Sequence, residues 1–211
     1  MKSAAAPMRR GGRPLSFDRQ AALEKAMLAF WRHGYESTSI SDLTAAMGVT
    51  APSLYTAFGD KRRLFLEAME LYVGPMEAVQ ARLDAAPTAR AAAWDLLFGA
   101  VQKMTGEATP PGCLMTSATA SVSASAVEVQ AAVSAVRGEI LRRLEARIAR
   151  DVAEGALPAG TDAAALAALM MGVMQGVSVL ARDGMPREAL LAMAECAMRA
   201  FPGDAGTRAG A

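Results

Sequence analysis

Thr50-Ala51-Pro52-Ser53-Leu54-Tyr55-Thr56 sets three small hydroxyl side chains and a phenol within seven residues, and Lys61-Arg62-Arg63 follows soon after. Short hydroxyls can reach base edges and phosphate oxygens without the bulk that would keep a helix out of a major groove. Upstream, Arg9, Arg10 and Arg13 sit among glycine and proline, a setting from which guanidinium groups can enter a narrow minor groove. Both sets suit a polyanion. Other chemistry is poorly supplied. The chain has one histidine, His33, and two distant cysteines, Cys113 and Cys196. It shows no Gly-rich phosphate loop, no Glu-x-x-His pair and no histidine–nucleophile pattern, so it reads as a non-enzyme with no cofactor and no metal site.

The elements that must position these groups read as helices throughout. Alanine is 48 of 211 residues and aromatics are only 5%, which favours an all-α fold over a β-sandwich. Charge is divided along the chain. Residues 1–63 carry ten Lys/Arg against five Asp/Glu, and the remainder twelve against sixteen, so only the N-terminal third is basic. A flexible basic arm (1–15) precedes a helix from near Phe17 to Gly34, with Leu23, Ala26, Met27 and Phe30 on one face. The next helix starts after Thr38 or Ser39, and Thr50 caps a third that ends by Gly59. Asp60 caps a fourth, expected to run from Lys61 to Leu83 with a kink at Gly74-Pro75. Further helices are expected over 88–105, 113–121, 125–154, 162–182 and 186–201, with a flexible tail at 203–211. In the long one, Val129, Val133, Val136, Ile140, Leu144, Ile148 and Val152 form the apolar stripe, and Arg142, Arg143, Arg147 and Arg150 take the wet side.

Three short helices with a tight turn between the second and third make a helix-turn-helix unit over 16–63, ahead of a helical ligand-binding and dimerisation domain over 64–202. Phasing the third helix with Leu54 and Phe58 inward turns Pro52 and Thr56 outward, with Ser53 and Tyr55 on the flanks. The run from Gly34 to Lys61 resembles the DNA-binding signature of tetracycline-repressor-type regulators at Gly34, Thr38, Gly48-Val49, Leu54-Tyr55, Phe58 and Lys61. It departs from that signature at Pro52 and Ala57. The resemblance implies a helical homodimer that binds a double-stranded DNA operator. By position it places Thr38, Ser53, Tyr55 and Lys61 against phosphates or bases, beside Thr50, Pro52 and Thr56 and the arm arginines.

It also implies a pocket for an unidentified small-molecule ligand in the body. Trp94, Phe98, Val101 and Met104 form an apolar stripe, and Met170 and Met174 add adaptable side chains, so these residues and Cys113 are the candidate lining. Cys113 follows Pro110-Pro111-Gly112 at an expected helix start, where the dipole would favour the thiolate. An electrophile- or redox-sensing regulator acting through Cys113 is therefore the alternative to reversible binding. From another class, a constitutive DNA-architectural protein is the rival, but it would not need so large an acidic body. The uncharged run 163–180, with Gly172 and Gly176, approaches a membrane span in length. It is rich in alanine, contains Gln175 and Ser178, and lacks aromatic and basic flanks, so it reads as a dimer helix of a cytoplasmic protein with no membrane partner. A repressor that leaves a pseudo-palindromic operator when ligand binds is the expected function.

Overall fold

Each of the first four helices begins where a short oxygen-bearing side chain closes on the free backbone N–H groups. In the computed structural model, which describes residues 17–118 and 126–202, Asp18 accepts from the N–H groups of Gln20 and Ala21 to start α1 (Arg19–His33). Ser39 and Asp42 form a reciprocal capping box for α2 (Ile40–Met47). Thr50 starts α3 (Ala51–Phe58) with Pro52 in its first turn, and Asp60 starts α4 (Lys61–Val73). The body then adds α5 (Met76–Ala85), α6 (Ala89–Met104), α7 (Leu114–Ala118), α8 (Val127–Ala153), α9 (Ala163–Arg182) and α10 (Arg187–Met198). The fold is all-α, with no strand among the described residues. The arm with Arg9, Arg10 and Arg13, the tail at 203–211 and the last turn expected of the 113–121 helix lie outside the described residues.

Two expectations are corrected. The segment 61–83 is two helices, not one kinked helix. Gly74 at φ +78° turns the chain, its N–H bonds the Glu70 carbonyl, and Pro75 has no N–H with which to continue the ladder. Arg147, assigned to the wet side of α8, is 5% exposed. It pairs with Asp151, one turn on, while donating to the Leu83 and Ala86 carbonyls; Asp151 accepts the Ala89 N–H at 2.6 Å. This ion pair closes the α5–α6 turn onto α8, satisfying backbone groups that would otherwise be buried unpaired.

The core runs without a break from the three-helix unit into the body. Phe30 meets Phe65 edge-on at 5.2 Å, and Trp31 meets Tyr72 edge-on at 4.8 Å, so α4 serves both parts. A second cluster, around Leu83, Leu97, Leu144, Ile148 and Met170, fills the far end of the body. Each large side chain buried this way contributes roughly 1.5–3 kcal/mol.

Candidate nucleic-acid interface and ligand cavity

The turn Gly48-Val49-Thr50 aims the start of α3 at solvent. Gly48 sits in the left-handed region at φ +72°, which a side chain would strain. Leu54 and Phe58 are buried, while Thr50, Pro52 and Thr56 are exposed, Ser53 is half-buried and Tyr55 is 48% exposed. The hydroxyls are preorganised: Thr50 Oγ1 and Ser53 Oγ lie 2.9 Å apart, and Thr56 Oγ1 donates to the Pro52 carbonyl at 2.8 Å. Arg19 braces this helix from behind, donating to the Ala57 carbonyl and pairing with Glu67.

Other residues of the motif do not join this face. Thr38 has no exposed surface, and its hydroxyl donates to the Gly34 carbonyl at 2.6 Å, so it closes the α1–α2 turn instead of facing phosphate. The basic trio is divided. Lys61 is half-buried, with Nζ 4.5 Å from the centre of the Tyr35 ring and donating to the Glu36 carbonyl at 3.3 Å; burial lowers its pKa. Arg62 pairs with Glu128 of α8, and Arg63 is exposed.

A cavity of about 170 Å³ lies among α4, α5, α6, α8 and α9. Of the residues expected to line it, Met104, Cys113 and Met174 do. Val101 and Met170 are buried in the two apolar clusters, Trp94 lies against α10 near Glu195 and Met198, and Phe98 is 41% exposed beside it. The physical reason is the phase of α6. Leu96, Gly99, Ala100 and Lys103 face the cavity, and positions 96 and 98 point about 160° apart on a helix.

Sequence reasoning missed Tyr72, Arg82, Lys103 and Arg137 on this wall. One signal was available. Arg137 falls four residues after Val133 and seven before Leu144, in phase with an otherwise apolar stripe. Cys113 is buried, and its Sγ accepts from the Tyr72 hydroxyl at 3.4 Å. Burial, and then Cys113, push the Tyr72 phenol well above its ordinary pKa, which keeps it a neutral donor. Helix α7 begins one residue after Cys113 and has five described residues.

The cavity wall and the three-helix unit are joined through Trp31, whose ring meets Tyr72. Trp31 Nε1 donates to the Gly112 carbonyl at 2.8 Å, and the Trp31 carbonyl accepts from Ser117 Oγ at 3.1 Å and Arg182 at 2.8 Å. The Cys113 N–H donates to Ser178 Oγ of α9 at 3.0 Å. Thus the end of α1, the segment entering α7, and α9 meet at one joint beside the cavity.

Comparison with known proteins assigns this arrangement. Residues 22–68 match the family described as bacterial regulatory proteins, tetR family, and residues 94–194 match the tetracyclin repressor-like C-terminal domain. The HTH-type transcriptional repressor ComR of Escherichia coli K12 is 34% identical over 193 residues, covering 90% of this chain and 92% of ComR. The chain belongs to the TetR family. A cysteine mutant of the TetR-family regulator CifR, solved with 26-bp double-strand operator DNA, is 43% identical with TM-score 0.85, over 90% of this chain and all of that one. A TetR regulator from Rhodococcus sp. RHA1 is 40% identical with TM-score 0.61, over 87% of this chain and 99% of that one. This TetR-type chain is accordingly a DNA-binding transcriptional regulator and not an enzyme.

Proposed function

We propose that the protein is a ligand-responsive repressor that binds a pseudo-palindromic operator as a homodimer and leaves it when a small molecule fills the α4–α9 cavity. The observation that carries this reading is the shared joint: Tyr72 and Cys113 line the cavity, and Trp31 of α1 packs on Tyr72 and bonds to Gly112. An occupant that moves Tyr72 or Cys113 by a fraction of an ångström must also move the end of α1, because packed cores rearrange and do not compress. Exposed Thr50, Pro52, Tyr55 and Thr56 along α3 and its cap would enter the major groove, with half-buried Ser53 and Lys61 at the edges. The arm arginines Arg9, Arg10 and Arg13 would add contacts alongside.

The second protomer is called for by α9. It is long and apolar enough to cross a membrane by length and composition, yet only 22% of its most apolar stretch is buried within one protomer. Ala165, Ala168, Leu169, Gly172 and Val179 face outward on it, and α10 packs beside it. A second copy, not lipid, is the cover we assign, in keeping with a cytoplasmic DNA-binding protein. The test is fluorescence anisotropy with DNA from upstream of the protein's own and neighbouring genes. Saturable binding of one dimer to a fragment with inverted half-sites about one helical turn apart is the expected result.

Cys113 Sγ on the cavity wall favours a second reading, in which an electrophile forms a carbon–sulfur bond there. Operator release that tracks Cys113 labelling and vanishes in Cys113→Ser supports it. Release that tracks Cys196, which is exposed on α10, rejects it.

A further inference from the structure

The cavity wall holds three cations and no carboxylate. Arg82, Lys103 and Arg137 line it among apolar residues, and no Asp or Glu does so among the described residues. The stretch 119–125, Thr-Ala-Ser-Val-Ser-Ala-Ser, contains no acidic residue. No ion pair joins any of the three to an acidic side chain among the described residues. Among the described residues Arg82 donates to the Asp95 carbonyl at 3.2 Å, lying across the face of α6 where Gly99 leaves room for it. Lys103 turns its ammonium over the Tyr72 ring at 3.8 Å and donates to the Tyr72 carbonyl. Arg137 Nε is buried with no hydrogen-bond partner, which is costly for a guanidinium donor.

We infer that the effector is a small organic anion: a single carboxylate-like group held by Arg137 and Lys103, with an apolar body of about one ring or a short chain. The inference rests on the cavity being the effector site. Charge and size both support it. Burial pulls Lys103 and Arg137 below their ordinary pKa values, outweighing the opposite pull of nearby Cys113, the direction expected of cations short of a counter-charge. The groups on the wall that could carry negative charge are Tyr72, held neutral by burial, and Cys113. A planar guanidinium with a free N–H is the group best shaped to grip a carboxylate. A cavity of about 170 Å³ is close to the roughly 150 Å³ that accommodates benzene in an engineered protein cavity. The apolar remainder, with Met171, Met174 and Ile140, suits the body of such a ligand.

The experiment compares probes of one shape and different charge on the full chain: benzoate, benzyl alcohol and benzylamine, then hexanoate, hexanol and hexylamine. Thermal unfolding and operator release are read for wild type, Arg137→Gln and Lys103→Met. The acids should stabilise the wild type and release operator at concentrations at least tenfold below their alcohols, and the amines should do neither. Either substitution should remove that tenfold preference, read within each variant as the ratio of acid to alcohol. Lys103→Met serves if Arg137→Gln fails to fold, because Lys103 as a whole residue keeps exposed surface. Alcohols or amines equalling the acids, an undiminished preference in both variants, or no response to any acid would overturn the inference. The regulatory reading fails separately: acids that bind selectively without changing operator affinity would keep the anion site and remove its role.

Discussion

Tyr55 and Thr38 come from the same motif and sit on opposite sides of it. Tyr55 is half-exposed in the second half of α3, while Thr38 is wholly buried and bonded to the Gly34 carbonyl. Tyr55→Ala should therefore weaken operator binding at least tenfold with the melting temperature unchanged. Thr38→Val should do the reverse in kind, costing about 1–3 kcal/mol of stability because a buried carbonyl loses its donor; urea titration against operator anisotropy separates the two. Residue types and spacing made the motif legible, but not which hydroxyls face water, since that depends on how the α1–α2 turn packs. Arg147 teaches the same lesson. Its i, i+4 partner Asp151 could be read from the sequence, but its burial could not, because the covering α5–α6 turn arrives from over 60 residues away. Arg147→Met leaves Asp151 uncompensated in the core and should cost about 3–5 kcal/mol in chemical denaturation.

At the scale of elements, helix number and bounds were mostly legible because caps and periodicity are local. The phase of α6 was not. That helix has apolar residues on two sides, and only the neighbours that arrive later decide which side meets the cavity. The break between α4 and α5 was marked by Gly74-Pro75, yet whether such a pair kinks or ends a helix is settled by how the downstream helix packs. The segment entering α7 has a sharper constraint. Gly112 lies at φ +81°, and a Cβ there would come within 2.8 Å of the Ser178 carbonyl oxygen. Gly112→Ala should destabilise the fold by more than about 1 kcal/mol, through both backbone strain and steric conflict with α9. It should also loosen the Trp31–Gly112 bond, so that the emission of the buried Trp31 shifts even in the folded protein.

For the whole molecule, the uneven charge and the uncovered face of α9 are the features that count. Leu169→Glu combined with Val179→Glu places charges on that face and should give monomers in sedimentation velocity, with operator affinity falling as the paired reading helices are separated. Gly172 and Gly176, alike in sequence, differ here: a Cβ at Gly172 would meet nothing within 4 Å among the described residues, while one at Gly176 would meet Met193 of α10 in the same protomer. Operator affinity should also fall steeply with salt, and replacing Arg9, Arg10 and Arg13 by alanine should flatten the log–log slope by about 0.9 for each phosphate no longer neutralised.

The joint between the reading head and the cavity has a consequence for how such proteins diverge. Its receiving atoms at Trp31 and Gly112 are main-chain carbonyls, which every residue possesses. Cavity-lining side chains such as Lys103 and Arg137 belong to α6 and α8, outside that joint. On the proposed ligand-responsive reading, mutation can therefore retune what is sensed without rewriting the connection that would report it, and descendants can inherit the transmission along with a vacant specification for the signal.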